Sequence, residues 1–295
     1  MNPSFLAGCL LAVATIYGVT PVHAAALDIL PGDYVALQPG QYGVTTYFYD
    51  RRLEGPYRAG SRSNRATVDA GTVALRFSGY GLVGGKTWAW SVTPLWSKAQ
   101  LTEGTMPAVF GREARGAGDV RLSTTIWPLA DRERGEYLGI TLAWFEPTGH
   151  YSNRRVLNIG ENRRKLSIAA GWSTPLASTL RLELIPELTF HGTNKDYLVG
   201  RERKQDVSVA LTGYLRWRVA QQWELMAGAQ TNAGGETRIN GVEQNDEVRN
   251  KRLMLGGSYF FDQNTVLSLR YGSDTVARNG FRLEREWLLR VGRRF

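Results

Sequence analysis

Residues 181–191 read RLELIPELTFH, with Leu182, Leu184, Leu188 and Phe190 on one parity of the chain and Arg181, Glu183, Glu187 and His191 on the other. A strand turns alternate side chains to opposite faces, so this stretch predicts a strand that is apolar on one side and charged on the other. About a dozen segments share that period of two, near 41–49, 67–80, 87–98, 118–129, 136–147, 163–174, 179–191, 206–219, 223–233, 251–261, 265–274 and 281–295. The eighth is the cleanest: Val207, Val209, Leu211, Leu215, Trp217 and Val219 alternate with Ser208, Ala210, Thr212, Tyr214, Arg216 and Arg218. Pro94, Pro128 and Pro186 fall on the apolar parity of their strands. Proline cannot donate to a ladder, so each predicts a bulge or a local break.

One such strand would suit a half-exposed soluble sheet as well as a membrane wall. The connections separate the two. They alternate between short ones, near 83–85, 130–135, 176–178, 220–222 and 262–264, and long, polar, Arg-rich ones over 50–66, 101–117, 148–162, 192–205, 234–250 and 275–280. An even number of antiparallel strands with short turns at one end and long loops at the other is the plan of an outer-membrane barrel. Of nine tryptophans, only Trp127 lies on the polar parity. Trp88, Trp172, Trp217 and Trp223 sit beside short turns, where an interfacial aromatic girdle would run. The expectation is an all-β protein: a closed antiparallel transmembrane β-barrel of about 12 strands with short periplasmic turns and long extracellular loops.

The two ends of the chain agree with a bacterial cell outer membrane. Residues 5–22, FLAGCLLAVATIYGVTPV, are the one long apolar run, followed by a small-x-small pattern that predicts signal-peptide cleavage after Ala24. A retained membrane helix and a lipobox at Cys9 are the alternatives for this run. Cleavage leaves a single domain, 25–295, without cysteine, so disulfides play no part in it. At the other end, FRLEREWLLRVGRRF sets Leu283, Trp287, Leu289, Val291 and Phe295 on one parity. A terminal strand ending in an aromatic residue is the signal read by the barrel-assembly machinery, although Arg293 departs from the usual pattern.

With the apolar parity assigned to lipid, the polar parity faces the lumen. It carries Arg76, Asp119, Arg121, Lys165, Arg181, Glu183, Glu187, Arg216, Arg218, Glu224, Arg270, Arg282, Glu284, Glu286 and Arg290, interleaved with Tyr47, Tyr49, Tyr80, Phe145, Tyr214 and Phe260. Two readings stay open. Such walls either line a water-filled pore that selects solutes by charge or fill a narrow barrel with salt bridges. Rings beside guanidinium groups would suit an aromatic or carboxylated small solute, and equally plain lumen packing. The formal net charge of +9 raises nucleic acid as a partner. Its placement argues for lipopolysaccharide phosphates instead, because Arg51, Arg52, Arg58, Arg62 and Arg65 crowd the first long loop and Arg154, Arg155, Arg163 and Arg164 border the third.

Three further stretches carry a pattern: LPGDYVALQPG at 30–40, GAGDVRL at 116–122 and PTGHYSNRRVLNIGEN at 147–162. Through Gly116, Gly118, Asp119, Pro147, Thr148, Gly149, Tyr151, Asn158, Gly160 and Asn162, the sequence resembles the outer-membrane family named for the meta-pathway of phenol degradation. The resemblance implies a roughly twelve-stranded, transporter-like barrel linked with aromatic-compound degradation. Read physically, Pro-Thr-Gly and Asn-x-Gly-x-Asn are turn formers that either shape a loop, one that could fold inward to narrow the pore, or touch a solute.

One enzymatic alternative stands beside the channel. His150-Tyr151-Ser152-Asn153 is similar to the His-x-Ser-Asn motif of outer-membrane acyl hydrolases, with Asn158, Glu161 and Asn162 as candidates to orient the imidazole. No cofactor is expected, since neither a His/Cys cluster at metal-ligand spacing nor a phosphate-cradling glycine loop is present.

Overall fold

The computed structural model describes residues 27–103 and 111–295. The apolar run 5–22 and the expected cleavage after Ala24 lie outside them. Alternation does build strands: β1 (Tyr42–Arg58), β2 (Ser61–Val83), β3 (Lys86–Thr93), β4 (Leu95–Glu103), β5 (Glu113–Ala117), β6 (Val120–Asp131), β7 (Glu136–Glu146), β8 (Lys165–Pro175) and β9 (Leu180–His191). They continue with β10 (Asn194–Tyr197), β11 (Arg201–Gln205), β12 (Ser208–Arg218), β13 (Trp223–Gly234), β14 (Thr237–Ile239), β15 (Val242–Glu243), β16 (Val248–Phe260), β17 (Thr265–Ala277) and β18 (Gly280–Arg294).

Fourteen of these strands form one antiparallel sheet, and β1 pairs with both β18 and β2, so the sheet closes. Pro94 separates β3 from β4 without changing their register on β2. Gly118 and Asp119 separate β5 from β6, here with a one-residue shift of register against β3 and β4. The wall therefore makes twelve passes. Pro128 lies in a bulge between Ile126 and Leu129. Pro186 leaves a gap in the β8 ladder but keeps register, as a residue without an N–H must. Closure is completed by reciprocal backbone bonds between Tyr42 and Phe295.

Leu184 is 37% exposed and Glu183 beside it 1%, which places lipid outside and a polar lumen inside. Trp90, Trp96, Trp144, Trp172, Trp217, Trp223 and Trp287 all point outward. The outward apolar band ends near Phe48, Val73, Trp96 and Trp287, yet the strands continue. Beyond it, the outward positions of β1 and β18 are polar and paired, as in Arg52–Glu284 at 3.0 Å and Arg285–Asp50 at 3.7 Å. The stretch 50–66, expected as a loop, is thus a hairpin of β1 and β2 that carries the barrel wall above the membrane. The stretches 192–205 and 234–250 likewise contain a four-stranded sheet, β10-β11-β14-β15.

Three expectations need correction. A bulge in β18, where Arg52 faces Arg285 and Leu53 faces Leu283, inserts one residue and reverses the faces beyond it. Arg282 and Glu284 consequently lie outside, paired with Glu54 and Arg52, not in the lumen, and Leu283 lies inside, 3% exposed, not against lipid. Arg51 is on the inner face, buried against Glu286, and Arg163 is buried against Glu161, so neither meets lipopolysaccharide.

Two bodies fill this barrel. The loop 148–162 turns inward at the extracellular end, where Val156 and Leu157 pack on Ala66, Val68, Ala99, Leu101 and Ala114 of the wall and on Tyr197, Leu198 and Ile239 of the small sheet. From the periplasmic end, residues 27–40 enter the lumen, burying Leu27, Leu30, Tyr34 and Ala36.

Candidate functional site: an occluded lumen with a chamber

The entering segment has little regular structure, so its backbone polar groups need partners on the wall. The Leu27 N–H donates to Glu187 (3.1 Å) and the Gly32 N–H to Glu183 (3.0 Å). Ile29 and Tyr34 carbonyls accept from the Tyr214 hydroxyl and the Trp127 indole, both at 2.9 Å. Trp127, the one tryptophan on the polar parity, is therefore an internal anchor. The carboxylates of the segment meet opposite charges: Asp28 lies 2.6 Å from Arg51 and 2.9 Å from Arg270, and Asp33 lies 3.3 Å from Arg76 and 3.4 Å from Arg290. Glu286 bridges Arg51 and Arg270 behind Asp28.

Tyr34 sits where two cross-strand glycines leave space. A Cβ on Gly171 would lie 2.0 Å from its ring and one on Gly139 2.8 Å from it. Nearer the periplasm, Arg216 joins Glu183 and Glu224, Arg218 joins Glu224 and covers the Phe260 ring, and Arg181 donates to the Gly135 carbonyl. Thus Arg76, Arg181, Glu183, Glu187, Tyr214, Arg216, Arg218, Glu224, Arg270, Glu286 and Arg290 all lie on the inner face. Most of them serve to hold the entering segment or one another.

The motif residues organise the loop above. Asp119 accepts from the Gly149 and Glu161 N–H groups, both at 2.9 Å, and Thr148 accepts from the Val120 N–H at 3.1 Å. Gly149 and Gly160 touch so closely that a Cβ on either would fall within 2.9 Å of the other's backbone. Asn158 closes the turn by bonding the Ser152 N–H and carbonyl, and Asn162, at φ 54°, bonds Asn194. Pro147 follows the last residue of β7, and the Tyr151 hydroxyl donates to the Asp196 carbonyl. Burial works to raise the Glu161 carboxyl, but Lys165 and Arg163 beside it hold it well below the usual range.

Between loop and segment lies a cavity of about 140 Å³, lined in part by Tyr47, Tyr49, Leu95, Arg121, Phe145 and Leu283. A second, of about 80 Å³, lies beside the entering segment against Tyr34, Tyr80 and Trp127. Asp28 and Arg121 line both.

The proposed nucleophile and base are not assembled. His150 and Ser152 lie in the loop and not on a strand, no hydrogen bond joins their side chains, and the Ser152 hydroxyl accepts from the Arg154 N–H at 3.4 Å. Among the described residues no group of three or more His, Cys, Asp or Glu is placed to hold a metal.

A closed twelve-pass barrel with an apolar outer band and a polar, internally occupied lumen defines an outer-membrane β-barrel protein. The sequence matches the family described as "Putative MetA-pathway of phenol degradation" over residues 43–289. The chain belongs to that family. Among solved structures it is similar to an outer membrane channel from Pseudomonas putida F1, at 24% identity and a TM-score of 0.84, over 91% of this chain and 100% of that one. It is also similar to the translocator domain of the autotransporter NalP from Neisseria meningitidis, at 13% identity and a TM-score of 0.53, over 99% of this chain and 96% of that one. No curated protein matches. These likenesses concern the fold.

The residues missed from the sequence are Asp28, Asp33 and Tyr34, with the glycines that receive the tyrosine. Their signal was thin. LPGDYVALQPG has no strand period, and its role depends on a wall built by residues far along the chain.

Proposed function

We propose that this protein is an outer-membrane channel for the passive uptake of small, largely apolar solutes, single-ring aromatic compounds among them. The observation that carries the reading is the 140 Å³ chamber between the inward loop and the entering segment, lined in part by Tyr47, Tyr49, Leu95 and Phe145. A cavity of roughly 150 Å³ is large enough for benzene, so by size the space suits one ring. An internally occupied lumen also disfavours free flow of sugars and salts. Family membership and the likeness to the Pseudomonas putida outer membrane channel support the same reading. No catalytic step belongs to it. Cleavage after Ala24, recognition of the strand ending in Phe295 by the assembly machinery, and contact of exposed Arg58, Arg154 and Arg155 with lipopolysaccharide complete the proposal.

The test is flux into proteoliposomes holding the full chain. Benzyl alcohol should enter faster than arabinose when each is compared with protein-free liposomes. Gly171→Ala, which pushes Tyr34 from its seat, should raise arabinose entry. Equal protein-dependent rates for both solutes, unchanged by Gly171→Ala, would sink the reading.

A further inference from the structure

Eight ionisable carboxylate, ammonium and guanidinium side chains line the 140 Å³ chamber: Asp28, Arg51, Asp119, Arg121, Glu161, Lys165, Arg252 and Asp274. All but two are ion-paired within the protein. Arg51 pairs with Asp28 and Glu286, Lys165 with Glu161, and Arg252 with Asp274 at 2.9 Å. Asp119 has no cation, but its two oxygens are taken by backbone N–H groups. Arg121 alone is left with its donors uncommitted. Its one hydrogen bond is a 3.5 Å contact to the Thr93 hydroxyl, its buried Nε has no partner, and among the described residues no carboxylate lies within ion-pair distance.

Its neighbours across the wall are an aromatic ring on one side and Thr93 of β3 on the other. Phe145 is its cross-strand neighbour on β7. Tyr47, Ala74 and Leu95, a continuous cross-strand row on β1, β2 and β4, line the same chamber. A guanidinium offers up to about five N–H donors in a planar fork that matches a carboxylate, and leaving it unmatched in such a place is costly. The chamber thus has space for one ring, an apolar wall to receive it, and one unmet cation at its floor. We infer that the preferred solute is a small aromatic carboxylate, its ring against Phe145, Tyr47 and Leu95 and its carboxylate held by Arg121. This rests on the channel reading for its biological sense but not for its chemistry. Because Arg121 lines the second cavity as well, the same group can keep hold of the anion while the solute passes the entering segment.

The experiment measures equilibrium binding by calorimetry on the full chain in detergent, with benzoate and benzyl alcohol as probes of equal ring size and different charge. The wild-type protein should bind benzoate at least tenfold more tightly than benzyl alcohol. Arg121→Met should abolish that preference, with benzoate weakened tenfold or more and benzyl alcohol unchanged or improved. Arg121→Lys, which keeps the charge but not the fork, should retain an intermediate preference and guards against a variant that does not assemble. Equal affinities for the two probes in the wild type, or benzoate binding indifferent to Arg121→Met in assembled protein, would overturn the inference and leave the channel reading intact. Arg121-dependent benzoate binding without benzyl alcohol flux in proteoliposomes would do the reverse.

Discussion

The same barrel wall encloses two interiors of opposite chemistry. Above the lipid band, the inward positions are Ala66, Val68, Ala99, Leu101 and Ala114, and the loop that fills the space offers Val156 and Leu157. From the upper edge of the band downward, the inward positions are Arg51, Arg76, Arg270, Glu183 and Glu286, and the segment that fills the space offers Asp28, Asp33 and its own backbone. The upper body is held chiefly by area removed from water, with the Asp119 and Glu161 contacts at its base. The lower one is held by charges whose desolvation must be matched pair by pair, which stabilises little in total but penalises each lost partner heavily. A cap held by packing tolerates changes of salt and solute. A segment held by matched charges has a definite seat and can be released when a match is lost.

The largest effect should come from breaking those matches. Asp28→Ala with Asp33→Ala takes one carboxylate from Arg51 and Arg270, which keep Glu286, and from Arg76 and Arg290. The pairs are part-buried, so each costs less than the about 3–5 kcal/mol of a fully buried pair broken from one side. The entering segment should leave its seat, and single-channel conductance in a planar bilayer should rise severalfold. Unchanged conductance would mean that the segment is held by Tyr34 and its backbone alone. The cap should respond differently. Leu157→Ala should cost about 2–5 kcal/mol, the usual range for truncating a buried leucine. It should appear as faster proteolysis within 148–162, with conductance much less affected than in the aspartate variant.

Acid offers a milder probe of the same boundary. The folded Glu161 carboxyl is depressed below its ordinary 4.5 by Lys165 and Arg163, against the opposing effect of burial. Its contribution is present in full above that ordinary value and is lost as pH falls through the depressed folded value. A spin label at exposed position 154 should stay immobile from neutral pH to about 5 and loosen only below the ordinary glutamate range. Loosening that begins near neutrality would point to another group. The smallest effect should belong to Ser152→Ala, a loop change expected within about 0.5 kcal/mol, with flux unaltered. Esterase turnover that vanished in this variant would revive the hydrolase alternative.

What could be read along the chain was whatever a residue does without distant help. Lipid on one side and a polar lumen on the other act on every strand position independently, so a period of two, the turns between and the outward tryptophans declared the barrel before any pairing was known. Glu183, Arg216 and Arg270 were likewise readable as inward. The tertiary structure alone decided their use. Leu27 meets Glu187 across 160 positions and Asp33 meets Arg290 across 257, contacts for which no local pattern exists. One extra residue in β18 exchanged Leu283 and Glu284 between lumen and surface, because a single insertion reverses every later face while leaving composition untouched. Arg121 looked like its neighbours in sequence. Only the completed barrel shows that every other cation in its chamber is matched, because pairing is a property of the whole wall and not of any strand.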